Sequence, residues 1–386
     1  MKIKNNNYKK RHNNSGDNMI KLTKNRIIYI YLLLFMFISY FSIYKAKDYT
    51  SSALGELYNK QIIWYLLGFF LMYLISKANI KKILNIAIPF YIIINVLLLL
   101  LLKYGVNINS TKAWFNLGFV NIQPSELMKV SLILMNAKII DNFYNNNTKI
   151  KQKKEFKLII TLFIVTLIPS ILTFLEPDTG AVICYFVITI SMLFISGINK
   201  KWFIYLFIFF SVTIGIIFYI YYNNENLFIN LFGSSLFYRI ERIINWNSKI
   251  GMQLNNSLIS IGSSGLFGHY SVPIYYPEST TDFVFTSFSS SSGLITTIIF
   301  LTIIMSFDIF IINQIKNIKI LKYKYLVFGI TSLIIYGQIQ NIAMTIGLLP
   351  IIGITLPFIS YGGSSIITYL LLMGIIINIL NQKKKT

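Results

Sequence analysis

The chain has 386 residues, of which 55% are hydrophobic and 12% charged, with a formal net charge of +22. Soluble domains carry roughly 25% charged residues, so half that share, with a mean hydropathy of +0.63, excludes a soluble globular protein and argues for the membrane class. The basic surplus does not call for a nucleic-acid partner. About 25 of the 35 Lys and Arg fall in the N-terminal tail, in every second loop or in the C-terminal tail, which is the positive-inside pattern.

Residues 1–25 are rich in Asn and Lys and lack a core-forming pattern; we expect a disordered cytoplasmic tail. The apolar run from Arg26 to Tyr44 is too long for a signal-peptide core and has no small-residue cleavage site behind it, so it reads as the first span. Further spans are expected at roughly 61–76, 85–102, 125–142, 157–175, 179–198, 202–222, 283–312, 325–346 and 360–380. The lysines at 77–82, 149–157, 200–201, 316–324 and 383–385 mark one set of loops as cytoplasmic. The expected fold is an all-α integral membrane protein with about ten transmembrane helices and both termini in the cytoplasm. A polytopic domain would cover 26–380 and a short basic tail 381–386. The large outer loop between spans 7 and 8, residues 223–282, is rich in aromatics and glycine, and a loop of that length is expected to be ordered over a site. No internal repeat stands out, which argues against a transporter built from duplicated halves.

Polar residues at membrane depth carry a cost and mark sites. Trp114–Gly118 leads into Gln123-Pro124-Ser125-Glu126-Leu127-Met128-Lys129. Pro124 suits a first helical turn, and Glu126 and Lys129 share one helix face. An intrahelical pair and a functional pair both fit that spacing. Glu176-Pro177-Asp178-Thr179-Gly180 reads as a tight outer turn, with Asp178 able to cap the next helix. Pro277-Glu278-Ser279-Thr280-Thr281-Asp282 precedes a long span. Asp282 there serves either the helix dipole or as a general base toward a sugar hydroxyl, and spacing does not decide between them. Asn341–Pro350 and Leu356–Ser365 interrupt apolar sequence with Pro and Gly, which is tolerated where backbone lines a cavity or is buried in protein. The single Cys184 excludes an intrachain disulfide. His12 and His269 lie far apart, and no metal-ligand spacing is present.

These clusters, in this order, resemble the SEDS family, which comprises RodA, FtsW and their sporulation relatives. The matching stretches are Trp114 to Lys129, Pro177 to Gly180, Gly262 to Phe283 and Asn341 to Ser365; Leu356 to Ser365 is the most specific, and the overall likeness leans toward RodA. Weaker echoes are Tyr238-Arg239 with Arg242, and Gly251-Met252-Gln253 with Ser257. The resemblance implies a bacterial cytoplasmic-membrane glycosyltransferase that polymerises lipid II into peptidoglycan strands on the outer face, with a class B penicillin-binding protein as partner. It sets the catalytic carboxylate on Asp282. Candidate substrate contacts are Trp114, Glu126, Lys129, Arg239, Arg242, Glu278, Ser360, Gly362, Gly363 and Ser364. Of these, Lys129, Arg239 and Arg242 are candidates for the leaving diphosphate. The resemblance points to no certain cofactor, and a divalent cation is left open. The other classes weighed are a lipid II flippase or other transporter, and a non-catalytic scaffold for the penicillin-binding protein. The chain departs from the family pattern at Ala113 (usually Arg), Glu176 (Gln), Thr280 (His) and Ser290-Ser291 (a Glu pair).

Overall fold

The computed structural model describes residues 25–46, 57–108, 111–116, 118, 121–145, 152–244, 251–268 and 274–382. The expected N-terminal tail, up to residue 24, and the final residues 383–386 lie outside them. Helices dominate: α1 (Asn25–Ala46), α2 (Leu57–Lys77), α3 (Ile80–Asn85), α4 (Ala87–Tyr104), α5 (Pro124–Asn145), α6 (Gln152–Leu175), α7 (Thr179–Ser196), α8 (Lys201–Asn223), α9 (Glu225–Phe232), α10 (Ser234–Ile244), α11 (Met252–Ser263), α12 (Val284–Lys316), α13 (Leu321–Thr345) and α14 (Gly363–Asn381).

Among the described residues, eight helices are long and apolar enough to cross a bilayer. Two more, α2 and α5, are 21 and 22 residues long and fall where the other two spans are expected. Both carry polar side chains that face protein rather than lipid, Gln61 in α2 and Glu126, Lys129 and Asn136 in α5, all buried. Lipid supplies no hydrophobic force between helices, so close approach and polar contacts hold them. A Cβ on Gly374 of α14 would lie 2.8 Å from the Met72 carbonyl of α2, and one on Gly68 of α2 would strike the Leu370 side chain. Asn136 of α5 donates to Thr189 of α7 at 3.0 Å, and that hydroxyl meets Thr166 of α6 at 2.6 Å. Pro169 within α6 cannot donate to the Val165 carbonyl; the Tyr91 hydroxyl of α4 takes that place at 2.7 Å.

The segment between α4 and α5 holds a small antiparallel sheet of β1 (Val106–Ile108), β2 (Thr111–Asn116) and β3 (Asn121–Ile122). Of the expected outer segment, α11 is packed into the body. Its Ser257 hydroxyl bonds Thr286 of α12 at 2.6 Å and the Thr345 carbonyl of α13 at 2.9 Å.

The helix over 284–316 is two helices joined at Gly293, which adopts φ 77° and ψ 178°. The turn that follows α11 fits into this break. Leu294 and Ile295 donate their N–H groups to the Gly265 and Leu266 carbonyls at 3.0 and 3.2 Å. The long span therefore starts after Gly293, and the preceding half-helix is buried in protein, as a broken backbone at that depth requires.

Candidate active site

Among the helices that begin at one end of the molecule are α5 at Pro124, α7 at Thr179, α12 at Val284 and α14 at Gly363. Their first turns expose backbone N–H groups and the positive ends of four helix dipoles. The opposite end carries Lys77, Lys81, Lys82, Lys200, Lys201, Lys316 and Lys322.

Asp282 lies in the turn just before α12, half-buried. Its backbone carbonyl accepts the Asn341 side-chain amide of α13 at 2.8 Å. The turn is also clamped to the chain before α14. Ser360 donates its hydroxyl to the Thr281 carbonyl at 2.6 Å, and Tyr361 donates its N–H to the Thr280 carbonyl at 2.9 Å. Ser287 closes the other side by donating to the Ser279 carbonyl at 2.7 Å. The Asp282 carboxylate faces Gly353, where a Cβ would lie 3.4 Å from Oδ2. Gly353 has φ +68°, so this position favours a residue without a side chain. Burial, with the Glu278 and Asp178 carboxylates next in effect, pushes the Asp282 carboxyl up to about 7. Glu278 itself accepts the Thr281 hydroxyl at 2.5 Å.

Asp178 caps α7 through the Ala181 N–H at 3.0 Å. Its other oxygen accepts from Gln123 at 3.0 Å and from the Ser125 hydroxyl at 2.9 Å. The Ser364 hydroxyl accepts the Gln123 N–H at 3.0 Å. The starts of α5, α7 and α14 are thus tied together. Gly180 brings α7 against the strand-like segment before α14, since a Cβ there would lie 2.8 Å from the Ile352 carbonyl. Glu176, at the end of α6, is fully buried with neither carboxylate oxygen hydrogen-bonded. Burial, reinforced by Asp178, raises it to about 8.

Lys129 and Glu126 form a buried ion pair at 2.6 Å, with the Lys129 ammonium over the Tyr369 ring at 5.9 Å. Glu126 therefore neutralises Lys129 within the bundle. Gly363 lets the chain pass tightly, since a Cβ there would lie 2.7 Å from the Trp64 indole; Gly362 precedes it with room for a Cβ. Trp114 sits in β2, paired with Val106, and is half-buried. Arg239 and Arg242 belong to α10, but their side chains lie outside the described residues. Asp282, Glu278 and Ser360 are brought together; Ser364 joins the neighbouring Asp178 network. Among the described residues no cluster of three metal-ligating side chains is present.

Two site residues were not among the named substrate contacts, although Asn341 opens one of the motifs read from the sequence. Asn341 holds Asp282 through its backbone. Gln61 of α2 donates to the Ser39 hydroxyl and to the Ser360 carbonyl, each at 3.0 Å. Gln61 follows Asn59 and Lys60 at the start of its span, so no local signal sets it apart. At the departures from the family pattern, Ser290 and Ser291 return their hydroxyls to the Thr286 and Ser287 carbonyls at 2.7 and 2.6 Å. Thr280 is buried and Ala113 sits inside β2.

The sequence model of the FtsW/RodA/SpoVE family, described as cell cycle protein, matches residues 25–385. A probable peptidoglycan glycosyltransferase FtsW of Wigglesworthia glossinidia brevipalpis is 33% identical over 340 residues, covering 82% of each chain. The peptidoglycan glycosyltransferase MrdB of Helicobacter pylori is 26% identical, covering 91% of this chain and 88% of its own. Among solved structures, a chain from work on the structural coordination of polymerization and crosslinking by a peptidoglycan synthase complex superposes with a TM-score of 0.77 at 21% identity, covering 93% of this chain and 98% of that one. The rod shape determining protein RodA of Thermus thermophilus superposes with a TM-score of 0.65 at 22% identity, covering 92% and 97%.

Proposed function

Because the chain belongs to the FtsW/RodA/SpoVE family, we propose that it is a peptidoglycan glycosyltransferase of the bacterial cytoplasmic membrane, with Asp282 as its general base. The substrate of this reading is lipid II, and the partner a class B penicillin-binding protein that cross-links the strands. The observation that carries the base assignment is the Asp282 carboxyl itself. It sits beside the start of α12, is held through its own backbone by Asn341, and is raised to about 7. A general base works best when its pKa lies near the working pH.

The step balances as a displacement. Asp282 takes the proton of the acceptor sugar's 4-hydroxyl as that oxygen attacks the anomeric carbon of the donor strand. The bond from that carbon to the lipid diphosphate breaks, and the diphosphate leaves with the electron pair. Such a base contributes roughly 10²–10⁴-fold. The leaving group's negative charge is matched by the N–H groups and dipoles at the starts of α5, α12 and α14. Asp178 already caps α7, and Glu126 already neutralises Lys129. Of the three cations that the resemblance offers for the diphosphate, Arg239 and Arg242 of α10 remain the candidates. The test is lipid II polymerisation by the purified chain with its penicillin-binding partner, against the partner alone. Strands made only when both are present support an enzyme. Strands at the same rate from the partner alone overturn this reading in favour of a scaffold.

A further inference from the structure

At the lysine-rich end, α6 and α8 meet through Phe156 and Trp202, beside a pocket open on one side. Their first turns frame an open-sided pocket of about 350 Å³, whose lining includes Lys153, Phe156, Asn199, Lys201, Trp202 and Tyr205. Its walls are aromatic and fixed. Phe156 and Trp202 stack with ring centroids 5.4 Å apart, and Tyr205 meets Trp202 edge-on at 5.7 Å. The indole is pinned by its N–H, donated to the Glu155 carboxylate at 2.9 Å. Glu155 is buried and does not line the cavity. Neither lysine has a carboxylate within ion-pair distance among the described residues. Asn199 accepts the Lys201 N–H at 3.0 Å and shapes the turn into α8.

Both helices are long enough to span a bilayer, so their first turns lie at headgroup level. Aromatic rings and lysines between helices at that level are the chemistry that holds anionic lipid headgroups. The volume is at the lower end of small-molecule sites, about 300–1,000 Å³, enough for a headgroup and too small for a whole lipid. The chains have somewhere to go: α8 has no buried residue, and Ile204, Phe207 and Ile208 below the cavity are exposed. We propose that this cavity binds the headgroup phosphate of one anionic phospholipid between Lys153 and Lys201, with its acyl chains lying along α8. The site is at the opposite end of the bundle from Asp282 and is separate from any substrate-lipid site there. A free phosphate ion would satisfy the lysines but not the aromatic walls or the apolar face beneath them.

The test is native mass spectrometry of the full chain in detergent, titrated with phosphatidylglycerol and with phosphatidylcholine. The proteins are wild type, the Lys153→Ala/Lys201→Ala double variant, and a Lys81→Ala/Lys82→Ala variant as a control for basic surface. Melting temperature is followed alongside, and Lys153→Arg/Lys201→Arg serves as the charge-preserving rescue. We expect phosphatidylglycerol to be preferred, its affinity to fall roughly thirtyfold in the first variant, on the scale of two lysines at an anionic surface, and recovery in the arginine variant. An equal loss in the Lys81/Lys82 variant, or no loss in the first, overturns the proposal. Displacement of phosphatidylglycerol by millimolar inorganic phosphate also overturns it, as a site for the ion rather than the lipid.

Discussion

Asn341 donates from one side-chain nitrogen to two backbone carbonyls, that of Asp282 at 2.8 Å and that of Ile354 at 2.7 Å. One side chain on α13 thereby joins the turn bearing the carboxylate to the segment that packs against it. Asn341 is fully buried, so removing its amide leaves both carbonyls without that donor. We expect Asn341→Ala to destabilise the protein by roughly 2–4 kcal/mol, since an orphaned buried polar group costs about 1–3 kcal/mol. We also expect kcat to fall more than KM rises, because Asn341 positions the base without touching substrate. Thermal melts and polymerisation kinetics check this. Unchanged kcat would remove Asn341 from the positioning role.

The pH dependence follows from the Asp282 environment. The base acts when ionised, and burial holds its carboxyl at about 7. Polymerisation is therefore expected to rise with pH through about 7 and level off above it. Glu278 is the largest charged contributor to that elevation. Glu278→Gln should move the acidic limb to lower pH. A rate profile of the purified complex reads this directly, and a limb that stays in place would exclude Glu278 as a cause.

Glu176 carries a liability of the opposite kind. Its carboxyl goes from an ordinary value of 4.5 to about 8 in the folded chain. Between those values the native state binds more protons than the unfolded state, so stability falls as pH rises through this window. Glu176→Gln should raise stability by on the order of 2–4 kcal/mol above pH 8, with the gain shrinking toward pH 4.5. The family pattern carries Gln at this position. Melts of wild type and variant across pH test it, and a gain that does not depend on pH would show that charge is not the cause.

The apolar runs place the long helices because each must satisfy its own backbone in lipid, and most of their ends fall within about five residues of the expected ones. Asp282, Glu278 and Ser360 stood out as a group because their motifs are dense with residues that lipid disfavours, while the role given to Asp282 came from the family resemblance alone. Two features were not. The half-helix and span over 284–316 read as one run, because Gly293 breaks it only by receiving Gly268, a residue from a distant turn. The sequence left both a structural and a functional reading open for Glu126 and Lys129. It could not show that the pair is nearly shielded from solvent, with side chains 8% and 3% exposed, since burial depends on α14 presenting Tyr369. Gln61 reaches Ser360 across most of the chain, which no local pattern reports.

The Gly268–Gly293 contact gives a further expectation. A Cβ on Gly293 would lie 2.2 Å from the Gly268 backbone nitrogen, and one on Gly268 would lie 2.3 Å from the Ser291 carbonyl oxygen. Both residues also have φ in the left-handed region, +77° and +92°. Backbone cannot swing aside as a long side chain can. Gly293→Ala and Gly268→Ala should each destabilise by about 3 kcal/mol or more. Because they disturb one contact, the double variant should cost less than the sum. Additive losses in thermal melts would mean the two glycines act apart.

The central claim is that Asp282 takes the acceptor proton, and the most direct test is the polymerisation rate of Asp282→Asn against wild type, each in intact complex with the partner. Asparagine keeps the size and the backbone bond to Asn341 but cannot take the proton. We expect wild type to make glycan strands and the variant to be slower by roughly 10²–10⁴-fold. Strands at the wild-type rate from Asp282→Asn would contradict the assignment.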